Sequence, residues 1–413
     1  MRTEFTKGGA LGTAAKAGLG VAMATLLAVP QLAAAEITGG EIKIGVLADV
    51  TGTYSQSSGQ GAMVAVELAA EDFGGEINGK PIKVLLADTL NKADVAAEHA
   101  KKFHAQGVDL ITDMPNSAVA LGVQAYVRET DMLIVHNGAG TEMLTGKACS
   151  PRSVHWQFNT GALSSGAGVL ASQMKDSKWF VITLDHPFGR GIYNDVERNI
   201  TPHGGKIVGS VFHGFGETNF FPILEKAMAS GADVIAFGNA GKGLSEAIRQ
   251  SKEMGVALNG QEVVSVMTLL QDIRGVGLYA SSGMRFVSPY YWNINDGSRA
   301  FAERFRKRMG TYPSEAQIAN YASTRHYLKA VKATGIDRGT VVMDKMKELK
   351  IEDGITQNGY IRRDGRLIHD MNLVRVKAPS ESKGLLDYFE KVATIPGKQA
   401  FGPETPDCEL VKN

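Results

Sequence analysis

The chain has 413 residues, 44% of them hydrophobic, with 44 Lys and Arg against 43 Asp and Glu. A net charge of +1 gives no global attraction to nucleic acid or to an acidic membrane surface. The length leaves room for two domains at about 150 residues each.

Arg2 and Lys7 open the chain, Ala17 to Val29 is small and apolar, and Ala33-Ala34-Ala35 gives an A-x-A pattern before Glu36. This reads as a secretory signal peptide, residues 1–35, cleaved near Ala35. No Cys stands directly after the apolar run, and the paired arginines of a twin-Arg signal are absent. No later uncharged apolar run is long enough to cross a bilayer. In an oxidising compartment Cys149 and Cys408 point to one disulfide tying the tail to the middle of the chain; two unpaired buried thiols are the alternative.

The mature chain begins with Ile42 to Ala48, apolar and β-branched, a strand buried in a parallel sheet. Thr51 to Ser58 follow as a polar loop loosened by Gly52, Gly59 and Gly61. Met63, Val66, Ala70 and Phe73 then form one helical stripe. In open α/β sheets ligands bind at this carboxyl edge, so the loop reads as one wall of a small-molecule site; a solvated βα loop is the alternative. Pro81–Ala87, Val108–Ile111 and Met132–Val135 are further strands, with helices at Ala93–Gln106 and Ala118–Arg128. The strand ends carry Asp113-Met114-Pro115-Asn116-Ser117 and His136-Asn137-Gly138-Ala139-Gly140-Thr141. Strand and helix alternate, which implies right-handed crossovers and a parallel sheet with these ends along one rim.

From about His155 the pattern restarts. Helices are expected at Ala162–Met174, Tyr193–Ile200, Phe220–Ala229 and Leu244–Met254, with strands at Trp179–Leu184, Ile207–Phe212, Val234–Phe237 and Val263–Met267. Here the strand ends are Asp185-His186-Pro187-Phe188-Gly189-Arg190 and Gly238-Asn239-Ala240-Gly241-Lys242-Gly243. After Gly283 come Met284–Val287, the aromatic cluster Tyr290-Tyr291-Trp292, and helices at Ser298–Met309 and Ser314–Thr334. Gly359 to Val376 alternates about Arg363-Asp364-Gly365 and reads as a β-hairpin, with a tail packed over the surface from Pro379 onward.

Hydrolytic and nucleotide motifs are missing. Gly161-Ala162-Leu163-Ser164-Ser165-Gly166 misses the nucleophile-elbow spacing, and Ala236 and Gly243 break a phosphate loop around Gly241-Lys242. No H-E-x-x-H or dinucleotide glycine fingerprint occurs. The reading is therefore a binding protein without catalysis or cofactor; an exported hydrolase using Asp185 and His186, or a sensory ligand-binding module, are the rivals.

The signal peptide, the segments IKIGVLADVTGTYSQSSGQG and INGKPIKVLLAD, and the strand ends DMPNS, HNGAGTEMLTG, LDHPFGRG and AFGNAGKG together resemble the periplasmic solute-binding proteins of ABC importers, of the branched-chain amino-acid-binding type, over about residues 41–376. The resemblance implies an α/β fold of two Rossmann-like lobes, the type I periplasmic binding protein, joined by three hinge crossovers with the ligand between them. Residues 36–155 with 291–352 would form lobe 1, and 156–290 with 353–413 lobe 2. It implies periplasmic location, a membrane permease as partner, no nucleic acid, and a monomer. Tyr54, Ser55 and Ser57 would form the aromatic-bearing loop. Asn116 and Ser117 would hold a carboxylate, and Asn137, Gly138, Ala139 and Thr141 would supply further donors. Phe188, Asn239, Met267 and Tyr290 would face them; packing in the hinge strands is the alternative for Tyr290. Met267 to Leu270 carries no carboxylate where the family often has one for an ammonium, which tilts the expectation toward an organic or aromatic acid.

Overall fold

The computed structural model describes residues 37–185, 187–214 and 216–412. The expected signal peptide and His186 lie outside them. Among the described residues no helix is long and apolar enough to cross a membrane.

Two sheets organise the chain. The first is built from β1 (Ile42–Ala48), β2 (Glu76–Ile77), β3 (Lys80–Asp88), β4 (Leu110–Asp113), β5 (Leu133–His136) and β6 (Ser153–His155), in the order β2-β3-β1-β4-β5-β6. Only β2 runs antiparallel to its neighbour. Successive residues of β1 point to opposite faces. Ile42, Ile44 and Val46 meet the core under α1 (Gly59–Glu71), while Leu47 meets Phe103 of α2 (Ala93–Ala105) and Val119 of α3 (Ser117–Val127). Both faces of the sheet are covered, which explains the near-continuous apolar run of β1.

The second sheet contains β7 (Lys178–Leu184), β8 (Lys206–His213), β9 (Val234–Gly238), β10 (Glu262–Ser265), β11 (Arg285–Ser288), β14 (Met371–Val376) and β15 (Phe389–Ile395), in the order β15-β14-β11-β10-β9-β7-β8. A two-stranded pair, β12 (Tyr360–Ile361) and β13 (Leu367–Ile368), stands apart. Trp179 and Val181 face α4 (Thr160–Met174) and α5 (Pro187–Ile200); Phe180 and Ile182 face α6 (Phe221–Ala229) and α7 (Gly241–Glu253). The short helices α8 (Leu270–Val276) and α9 (Leu278–Ser281) follow β10. After β11 the chain returns to the first sheet with α10 (Asp296–Met309) and α11 (Glu315–Thr334), which pack on α1, and α12 (Thr340–Glu348), which packs on α11. Ser314 and Gln317 cap α11 reciprocally, Ser314 N–H donating to Gln317 Oε1 at 2.9 Å.

The chain thus passes between the sheets three times: after β6, after β11 and after α12. One hydroxyl joins the three passages. Tyr290 Oη accepts from Trp156 Nε1 at 3.1 Å and lies 3.2 Å from Thr356 Oγ1. Tyr290 is 1% exposed, with its ring stacked on His369. Of the two expectations for Tyr290, packing among the passages accounts for these contacts.

Four sequence expectations need correcting. The hairpin is limited to β12 and β13; β14 leaves it to pair antiparallel with β11. The tail beyond Pro379 is not mere surface covering, since β15 extends the second sheet and α13 (Gly397–Phe401) packs on α4. Helix α5 starts six residues earlier than its apolar stripe suggested, and α12 was not foreseen at all. In each case pairing or packing with distant segments outweighs the local pattern. Cys149 and Cys408 are bonded, with Cα atoms 5.6 Å apart.

Candidate functional site

The parallel registers level the strand ends. Leu47, Asp113, His136 and His155 stand in one row across the first sheet, and Phe237 stands beside Ser265 in the second. The segments that leave these rows form two rims.

On the first rim, buried Asp49 builds the loop after β1. Its Oδ1 accepts from Gly52 N–H at 2.9 Å and its Oδ2 from Tyr54 N–H at 2.8 Å. A side chain at Gly52 would put Cβ 2.3 Å from Asp49 Oδ1, so only glycine fits there. Ser58 Oγ accepts from Asp49 N–H and donates to Asp113 Oδ2, tying the loop to the end of β4. Burial raises the Asp113 carboxyl to about 7. Tyr54 is presented half-buried, and burial followed by the negative charge of Asp272 raises its hydroxyl pKa. Asp272 belongs to α8, beyond the second sheet, so the Tyr54 loop and α8 face one another.

On the second rim, Asn239 is fully buried. One end of its amide meets His213 Nε2 at 3.0 Å; Nδ2 has no protein partner. The register places Met267 level with Asn239, and Thr268 beside it is 1% exposed with an unpartnered hydroxyl. At the start of α8, Leu269 N–H donates to Asp272 Oδ2 at 2.8 Å and Leu270 N–H to Glu315 Oε1 at 2.9 Å. Glu315 comes from α11, on the other sheet, and its Oε2 has no partner. Burial first, then Asp272, lifts Glu315 to about 8, and burial lifts Asp272 to about 6. In the first passage Gln157 is fully buried with neither amide atom partnered.

The expected site residues divide. Tyr54, Ser55, Phe188 and Met267 are half-buried at the rims, and Asn239 keeps a free donor. Others are engaged in the fold. Asn116 Oδ1 caps α3, accepting from Ala118 N–H at 2.7 Å; Ser117 opens that helix. Ser57 Oγ donates to Tyr54 C=O, and Thr141 Oγ1 accepts from Met143 N–H. Asn137 Nδ2 lies 2.7 Å from Thr112 Oγ1, 2.9 Å from Asn320 Oδ1 and 3.0 Å from Ser323 Oγ, which fastens α11, while its buried Oδ1 has no protein partner. Ala139 C=O accepts from His155 Nε2 at 2.7 Å. Gly138 is required by packing, since a Cβ would lie 2.6 Å from Pro115 Cα. Asp185 is exposed and paired with Arg190 at 2.5 Å.

Sequence reasoning missed Asp49, Asp113, Glu315 and Gln157. Gln157, polar between Trp156 and Phe158, was the one legible clue; Glu315 looks like any acid in a first helical turn. It also brings a second carboxyl group beside the first turn of α8, next to that of Asp272.

A pH dependence follows. Between their unfolded values and their folded ones, near 7 and 8, Asp113 and Glu315 hold protons in the folded chain that the unfolded chain has lost, so stability falls as pH rises. His136 and His369, lowered by burial to about 3, act oppositely, but only below the ordinary histidine range near 6.5. Thermal unfolding is therefore expected at a lower temperature at pH 8 than at pH 6.5. The slope is up to about 1.4 kcal/mol per pH unit for each carboxyl. Glu315→Gln should flatten it; an unchanged slope would refute the assignment.

The family model described as "Periplasmic binding protein" matches residues 41–384. Leu/Ile/Val-binding protein homolog 1 of Brucella suis biovar 1 (strain 1330) is 25% identical over 343 residues, 80% of this chain and 87% of the relative. The crystal structure of a periplasmic binding protein from Burkholderia mallei is 38% identical with a TM-score of 0.82, covering 90% of this chain and all of that one. The structure of a branched-chain amino acid ABC transporter periplasmic ligand-binding protein from Burkholderia xenovorans LB400 is 35% identical with a TM-score of 0.85, covering 88% and 97%. The two parallel-centred sheets match the fold of these solved structures, and the family model spans most of the chain: the chain belongs to the periplasmic binding protein family, as a substrate-binding protein of the branched-chain amino-acid ABC transporter type.

Proposed function

We propose that this protein is exported, captures a small carboxylate-bearing solute between the two rims, and delivers it as a monomer to a membrane permease. The two lobes, 36–155 with 291–352 and 156–290 with 353–413, close by bending at the three passages. Solute that contacts both rims stabilises the closed form. One observation supports this above the rest: Asn239 Nδ2, Thr268 Oγ1 and the Gln157 amide are buried without protein partners, at strand ends of the second sheet and in the first passage. Such groups cost about 1–3 kcal/mol each unless a partner is supplied. Tyr54 and Phe188 offer flat apolar surface for the rest of the solute.

The solute is an α-amino acid or an organic or aromatic acid. Glu315, with one free oxygen, favours keeping the amino acid in the reading. Calorimetry of ligand-stripped protein with branched-chain amino acids, aromatic acids and short organic acids should give a 1:1 isotherm with one class. Silence with all three would end the proposal. Mass spectrometry of co-purified solute supplies an independent identification.

A further inference from the structure

Arg366 sits in the third passage, just past the Asp364-Gly365 turn, and is 0% exposed. Its Nε donates to Leu367 C=O at 3.1 Å, but neither Nη1 nor Nη2 has a partner. The guanidinium lies 4.3 Å from the centre of the Phe401 ring. The acids that act on it are engaged elsewhere. Asp364 accepts from Arg362 Nη2 at 2.7 Å and from Arg366 N–H at 2.9 Å. Glu142 is exposed, 4.0 Å from Arg198. Burial first, then Arg362, draws Arg366 down to about 9, which leaves it charged at neutral pH. A buried charge without a counter-charge costs several kcal/mol.

A second buried group lacks partners on the adjoining segment. His155 N–H donates to Gly365 C=O at 2.9 Å, and His155 and Arg366 form a parallel bridge. Two residues beyond His155 is Gln157, with both ends of its amide unpartnered. His155 and His369, held neutral by burial, add no charge. A guanidinium with two free donors and a free amide thus lie on bridged segments of the first and third passages.

We propose that Arg366 Nη1 and Nη2, with the Gln157 amide, bind a small anion of carboxylate or halide chemistry. The anion meets the two guanidinium donors that the chain leaves unpartnered and couples two of the passages along which the lobes bend. Its source is either a free ion or the carboxylate of the captured solute; in the second case the site rests on the function proposed above.

The test uses the mature protein in a buffer whose only anion is a bulky sulfonate. Sodium chloride, sodium formate and the solute recovered with the protein are added separately, and thermal unfolding is followed. Chloride or formate raising the unfolding temperature of the wild type by several degrees, with the rise lost in Arg366→Met, supports a free-ion site. A rise with the recovered solute alone, lost in Arg366→Met, supports the solute's carboxylate as the anion. Arg366→Lys, which keeps the charge with fewer donors, and Gln157→Leu should each weaken the response and stand in if Arg366→Met does not fold. No response of the wild type to any of the three, or an equal response in all variants, overturns the site. A chloride response in a protein that binds no solute would refute the transport reading while leaving this one intact.

Discussion

Thr268→Val is expected to weaken solute binding about tenfold, the loss of roughly one hydrogen bond, while leaving the unliganded protein at least as stable as before. The hydroxyl is buried and has no protein partner, and valine has nearly the same shape. Removing the hydroxyl therefore breaks nothing in the free protein. Asn239→Ala should cost binding at least as much, with some loss of stability because His213 loses its partner at 3.0 Å. Calorimetry with the recovered solute and thermal unfolding without it read the two effects separately. Undiminished affinity in both variants, with a lowered unfolding temperature in Thr268→Val, would show that these atoms serve the fold alone.

The second large effect concerns the disulfide. Cys149 and Cys408 are 259 residues apart, so the bond closes most of the chain after β5 into one loop. On the chain-entropy account a loop of that length contributes up to about 5 kcal/mol. The tail has other attachments: Arg362 Nη1 donates to Gly402 C=O at 2.8 Å, and Arg363 pairs with Glu404 at 2.7 Å. These lessen the expected loss to about 2–4 kcal/mol in Cys149→Ser/Cys408→Ser, a fall of roughly 3–5 °C in unfolding temperature for a chain of this length. Wild type under reductant should fall equally. Equal unfolding temperatures for oxidised and reduced protein would show that the bond adds nothing to stability.

The elements of the two central sheets were legible because their pattern is local. A run such as Ile42 to Ala48 is apolar at all positions but Lys43 because helices cover both faces, as α1 and α2 do here. The site was legible as a place, less so as a set of atoms. Strand ends at Asn116, Asn137 and Asn239 look alike in sequence. Asn116 Oδ1 caps its own helix, Asn137 Nδ2 fastens α11, and Asn239 is fully buried with its Nδ2 unpartnered. That difference depends on which distant residue stands within hydrogen-bond reach.

The amino-acid order alone determined the alternation of strand and helix, the polar rims and the family, since periodicity and turn chemistry act over a few residues. Only the folded chain decided that Tyr290 joins the three passages, that the tail donates an edge strand, and that Glu315 reaches the first turn of α8. Each is a contact between segments tens to hundreds of residues apart. Burial and hydrogen-bond geometry choose such contacts among chemically similar candidates, and no local pattern records the choice.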